Sequence, residues 1–194
     1  TKASRSVPGT TATCRMRVEW SAIGTQAISL PVLPLAFHRY SAETFMNVFE
    51  LTRKLVDIES ITPNEEAMGL FMRDYLQPLV SEFNGALEMI EVAPKRFNVF
   101  ASWGSPAVTL STHLDTVPPF FASREDDDFI WGRGACDVKG IIAAMCFAAR
   151  NLLTAGERNF ALLFVVGEER NSAGAFHAAK NPRGSKFLIN GEPT

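Results

Sequence analysis

The side chains able to do chemistry gather in short clusters along the chain: Thr112-His113-Leu114-Asp115, the stretch Gly132 to Gly140 that contains Asp137, Gly167-Glu168-Glu169, and Asn190-Gly191-Glu192. One imidazole among several carboxylates is an oxygen-rich donor set with a single nitrogen, suited to Zn, Co or Mn. So many acids at partly buried positions need compensating positive charge, and a divalent cation is its simplest source. The two-residue step from His113 to Asp115 lets both side chains point the same way if the chain stays extended. Asp115 would then hold the imidazole nitrogen turned away from the metal. The competing reading is an ordinary turn with a solvated Asp before Pro118-Pro119. Glu168 and Glu169, being adjacent, point in different directions, so one can ligate metal while the other faces a bound water as general base. A solvated surface pair is the alternative there.

Gly132-Arg133-Gly134-Ala135-Cys136-Asp137-Val138-Lys139-Gly140 joins a loop to a helix, and its glycines allow close backbone approach. It lacks the GK[ST] ending of a phosphate loop and does not match GxGxxG. Asp137 is either a helix cap or a carboxylate presented on a tight turn where it can bridge two cations.

The elements that must position these groups are legible in the hydrophobic pattern. Phe45, Val48, Phe49, Leu51, Leu55 and Val56 recur at helical spacing, and a second helix is expected to run to about Phe83, with Thr62 or Asn64 as its cap. Strands are predicted at Leu87–Val92, Asn98–Ser102 and Val108–Ser111. A long helix is expected from Val138 to Leu153, stopped by Gly156. Phe160–Val166 is apolar throughout, as in a strand buried on both faces. A short helix over Ala173–Ala179 and a last strand over Phe187–Ile189 complete the pattern. Strands alternating with helices indicate an α/β fold, a three-layer sandwich with helices on both faces of a largely parallel or mixed sheet. The clusters with His113, Glu168-Glu169 and Glu192 each follow a strand, and the carboxyl edge of an open α/β sheet is where ligands bind.

Composition narrows the alternatives. The 194 residues are 46% hydrophobic and 21% charged, enough for one substantial core and unlike a disordered chain. A net charge of -2 offers no electrostatic case for nucleic acid or an anionic membrane, and no apolar run approaches the roughly 18 residues of a membrane span. Cys14, Cys136 and Cys146 form no CxxC pair, which argues against a disulfide scaffold or thiolate zinc site and makes a reducing, cytoplasmic compartment the default. Residues 1–41 differ from the rest: they hold Lys2, Arg5, Arg15, Arg17 and Arg39 against Glu19 alone, and read as an irregular or targeting-like extension. Residues 42–194 read as the N-terminal portion of a catalytic domain. His38 and His177 lack ligand-spaced neighbours and read as surface or packing residues. Arg124 to Asp128 reads as a solvated hairpin tip.

Taken in order, Ser111 to Pro118, Gly132 to Gly140, Gly167-Glu168-Glu169 and Gly191-Glu192-Pro193 resemble the co-catalytic zinc hydrolases that include acetylornithine deacetylase, succinyl-diaminopimelate desuccinylase, aminoacylase and carboxypeptidase G. The resemblance covers residues 42–194. It implies two zinc ions, Co or Mn being alternatives: His113 and Glu192 on one, Glu169 on the other, and Asp137 bridging both. It further implies Glu168 as general base, Asp115 orienting His113, and a cis peptide after Asp137. The expected reaction is hydrolysis of an N-acyl amino acid such as N-acetylornithine or N-succinyl-diaminopimelate; carboxypeptidase or dipeptidase action is the alternative, and a non-catalytic metal-binding α/β module a third reading. The family adds one further His ligand and a lid domain used for dimerisation, both expected beyond Thr194, so that this chain reads as a C-terminally truncated fragment with little activity of its own. Ile141 stands where the family often has a small residue, which is expected to alter helix packing slightly.

Overall fold

The computed structural model describes residues 46–193; the expected N-terminal extension and His38 lie outside them. Helix α1, Val48–Val56, starts at a capping box that the periodicity did not reveal. The Asn47 side chain accepts from the Phe49 and Glu50 amides, and Glu50 reaches back to the Asn47 amide, satisfying amides a helix start leaves open. Helix α2, Glu66–Glu82, begins at Glu65 without a side-chain cap, so neither Thr62 nor Asn64 has the capping role expected; Thr62 is used elsewhere, as described below. Strands β1 (Ala86–Ala93), β2 (Arg96–Trp103) and β3 (Val108–His113) follow, then a short hairpin of an exposed β4 (Arg124–Glu125) and a half-buried β5 (Ile130–Trp131). An irregular turn, Ala135–Lys139, leads into α3 (Gly140–Thr154), and then come β6 (Phe160–Val165), α4 (Glu168–Asn171), α5 (Ala173–Lys180) and β7 (Phe187–Asn190).

The five longer strands form one mixed sheet in the order β1-β2-β6-β3-β7. β2 is antiparallel to both β1 and β6, whereas β3 is parallel to both β6 and β7. Val99, Ala101 and Trp103 of β2, with Leu162 and Phe164 of β6, face one side and join Leu55, Met72, Leu76, Ile142 and Leu153 of α1, α2 and α3 in the core. Each Val, Leu, Ile, Met or Phe side chain among them contributes about 1.5–3 kcal/mol when taken from water. The alternate residues face the other side: Asn98 of β2 donates to the Gly174 carbonyl of α5, which places α5 there and makes the helices two-sided, as expected of a sandwich. Phe187, Leu188 and Ile189 of β7 are exposed.

The site is positioned by β3, β6 and β7. β6 and β7 flank β3 on opposite sides, so the chain's progress across the sheet reverses at β3, and a crevice opens at the carboxyl ends there. Register places His113 opposite Val165 and Ser111 opposite Asn190. All three ligand-bearing segments therefore leave the sheet at one edge.

Candidate metal centre

His113 ends β3 and is 1% exposed. Its Nε2 lies 3.1 Å from Asp137 Oδ1, 3.6 Å from Glu192 Oε2 and 3.9 Å from Glu168 Oε2. One ligand atom from each of His113, Asp137 and Glu169 lies within 4.8 Å of the others, close enough to hold a single ion. The structure thus brings together all six residues singled out in the sequence, since Asp115 touches both the ring and the Glu turn. It leaves His177 on α5 outside that set.

Each group reaches the cluster for a local reason. The ladder of β3 and β6 continues one residue past His113 through the Leu114 amide and the Val165 carbonyl, so the chain is still extended where the side chain must point. Glu168 and Glu169 do not sit at a strand end; they open the one-turn helix α4, after Gly167 in the left-handed region (φ 74°). That backbone conformation favours glycine, and a Cβ at position 167 would also fall 2.7 Å from Arg96 Nη2, which would have to shift. Arg96 is held by a two-pronged pair with the buried Glu65, at 2.8 and 2.6 Å. Asn98 accepts from the Val166 amide while donating to Gly174, and so clamps the two ends of the turn. Glu192 is brought in by two bonds to β3: the Gly191 amide donates to the Ser111 carbonyl, and the Thr112 hydroxyl donates to the Gly191 carbonyl. Asp137 lies on the irregular turn, and its peptide with Val138 is cis, as the resemblance implied.

Asp115 is the hub. Its carboxylate, fully buried, accepts the Glu168 and Glu169 amides at 3.0 and 3.1 Å and the Thr62 hydroxyl. His113 Nδ1 sits 3.0 Å from its main-chain carbonyl and 3.6 Å from its carboxylate, so the main chain of Asp115 makes the closer contact with the ring. Burial works against the Asp115 charge, but His113, Thr62 and the two amides outweigh it and hold its pKa below the ordinary value. For His113, burial disfavours the charged ring, yet Asp115 and then Glu192 and Asp137 raise its pKa to about 9. Glu169 and Glu192 are raised, chiefly by burial. A proton on His113 is the counter-charge this acidic cluster supplies for itself, and a divalent cation does the same work. The donor set fits such an ion: an imidazole whose far nitrogen is anchored, with carboxylates around it.

Five contributors escaped the sequence reading. Thr62 reaches Asp115 because residues 60–62 pair with Thr116 as a short parallel bridge, a contact no local pattern announces. Arg96 and its partner Glu65 are equally silent in sequence. Asn98 had a signal, a polar residue inside an apolar strand. Lys139, inside the glycine-rich motif, is buried and donates to the Ile58 carbonyl at 2.6 Å, tying the Asp137 turn to the end of α1; burial lowers its pKa to about 8.

The crevice opens over the second face of the sheet into a cavity of about 530 Å³, reached by His113, Glu168 and Glu192 and floored by Phe100, Leu163 and Val165. No helix among the described residues is long and apolar enough to cross a membrane.

Comparison with known proteins agrees with this architecture. The chain is 39% identical over 168 residues to a probable carboxypeptidase of Emericella nidulans, covering 74% of this chain and 39% of that protein. It is 37% identical over 156 residues to a peptidase M20 domain-containing protein of Schizosaccharomyces pombe, covering 76% and 38%. It thus spans about two fifths of the length of these relatives. In fold it is similar to human carnosine dipeptidase 1 (TM-score 0.60, 18% identity, 75% of this chain and 38% of that one). It is likewise similar to an M20 family metallo-carboxypeptidase from Sulfolobus solfataricus (TM-score 0.58, 17% identity, 75% and 37%). Residues 109–194, which carry the candidate ligands His113, Asp137, Glu169 and Glu192, match the model of peptidase family M20/M25/M40.

Proposed function

We propose that this chain carries the metal centre of a hydrolase that cleaves the amide bond preceding an amino acid with a free carboxylate, in a short peptide or an N-acyl amino acid. The observation that carries the reading is the convergence of His113, Asp137 and Glu169 within 4.8 Å at the carboxyl edge of the sheet, with Glu168 and Glu192 at its rim. The relatives named as probable carboxypeptidases favour the peptide. The resemblance of Gly191-Glu192-Pro193 to the deacetylase and desuccinylase branch favours substrates such as N-acetylornithine. Both substrate kinds share the same scissile unit.

In this proposal His113 and Glu192 would hold one zinc, Glu169 would hold a second, and Asp137 would serve both. Bound ions supply Lewis acidity toward the amide carbonyl and toward the attacking water. Glu168 takes the proton from that water and delivers it to the departing amine; its carboxylate is partly exposed toward the crevice, where substrate can reach it. Asp115 keeps His113 aimed and holds the turn bearing Glu168 and Glu169. For the protein as a whole, a second copy is proposed as partner.

The test is hydrolysis by the zinc-loaded whole protein on a dipeptide panel beside N-acetylornithine and N-succinyl-diaminopimelate, repeated with Glu168→Gln. We expect kcat to fall about 10²-fold or more, with zinc still bound. Unchanged turnover in the variant would remove Glu168 from the chemistry, and cleavage confined to one substrate kind decides between the two.

A further inference from the structure

The stretch after Asp115 runs Thr116-Val117-Pro118-Pro119-Phe120-Phe121. Its two successive prolines have no N–H, so this segment makes little backbone structure of its own. Its ends are fastened, Thr116 by its amide to the Ser60 carbonyl and Ser123 by its amide to Asp57. Between those points, among the described residues, the bonds come from Arg133. Arg133 donates Nε to the Pro119 carbonyl at 3.0 Å and Nη2 to the Pro118 carbonyl at 3.4 Å. Its amide donates to the Phe121 carbonyl at 3.1 Å, and its guanidinium lies 5.1 Å from the centre of the Phe121 ring. Arg133 stands four residues before Asp137, and the segment it grips starts three residues after His113.

We infer that Arg133 is a positioning residue of the metal centre: its side-chain fork locks the segment leaving His113 and Asp115 onto the turn carrying Asp137, and so sets the separation of those two ligands. This rests on the metal-centre reading above. A planar guanidinium giving two N–H groups to successive carbonyls fixes direction as well as distance, which an ammonium cannot do. His113, at the end of β3, and Asp137, on the turn before α3, meet at 3.1 Å; a ligand pair so arranged tolerates displacements of only about 0.5 Å.

The test uses Arg133→Met, which keeps the backbone bond to Phe121 and removes the fork, and Arg133→Lys, which keeps the charge. Hydrogen exchange of residues 114–123 and 132–140 in the metal-free chain reads the lock itself, and isothermal titration with zinc reads its consequence. Arg133 is partly exposed, and an unchanged Tm shows that the fold is intact. We expect both segments to exchange faster in Arg133→Met while the rest of the sheet does not, zinc affinity to fall about 10-fold or more, and Lys to restore less than half of the loss. Unaltered exchange, unaltered zinc affinity, or full rescue by Lys would each overturn the inference. A higher KM for carboxylate substrates with exchange and zinc affinity intact would do so too, by assigning Arg133 to substrate. A wild-type chain that takes up no zinc would count against the metal-centre reading, and the exchange comparison would still decide the lock.

Discussion

At the scale of single residues the centre works by giving one carboxylate several duties. Asp115 faces the imidazole with its main chain and its side chain and takes two amides from the turn that carries Glu168 and Glu169. Moving it would disturb the proposed ligands His113 and Glu169 and the proposed base Glu168 together. The same acidic surroundings lift the His113 pKa to about 9, and this has a direction that can be measured. A metal needs the neutral ring, so below that pKa a proton must leave before zinc binds, and apparent affinity rises as pH increases toward about 9. Without the shift, the rise would stop near the ordinary value of 6.5. We expect zinc titrations from pH 6 to pH 9, in buffers of different ionisation enthalpy, to show proton release and tightening binding across the whole range. Affinity that is level above pH 7 would place the His113 pKa near its ordinary value.

At the scale of elements, the delivery of Glu192 depends on how closely β7 approaches α3. A Cβ on Gly191 would fall 2.5 Å from Ile141 Cγ2 and 2.7 Å from Met145 Cε. Ile141, expected from the sequence to alter helix packing slightly, therefore leaves no room for a side chain on the residue that precedes the proposed ligand Glu192. The stiff β-branched side chain yields less than the flexible methionine. Gly191→Ala should push the 190–192 segment off α3 and lower zinc affinity about 10-fold, while Ile141→Ala in the same chain restores much of it. Additive losses in the double variant, read by the same zinc titration, would show that the two positions do not press on each other.

At the scale of the whole molecule, the sheet ends in a strand with one paired side among the described residues. Phe187, Leu188 and Ile189 are 66, 63 and 55% exposed, and a short apolar edge strand of this kind is a template for further pairing. The isolated chain should self-associate with rising concentration, and Leu188→Lys should suppress this with little change in Tm. Analytical ultracentrifugation across a concentration series checks it; an unchanged association in the variant would locate the contact elsewhere.

What the linear chain determined is what repeats locally. Periodicity of two and of 3.6 placed the strands and the main helices within a few residues, because side chains at those spacings share a face whatever the tertiary context. The residue types after β3, β6 and β7 pointed to a candidate cation site, since several carboxylates beside one histidine call for compensating positive charge. Even the hairpin at Arg124–Asp128 was legible from its charges. Tertiary structure alone decided the rest. That Thr62 serves Asp115 rather than capping α2, that Arg96 carries the Gly167 turn on a buried pair with Glu65, and that Arg133 grips Pro118 and Pro119 are contacts between segments 14 to 71 residues apart. They form only once the sheet order β1-β2-β6-β3-β7 has folded distant pieces of chain against one edge. A hydrogen bond depends on position and direction in space, and residue spacing carries neither across such a distance.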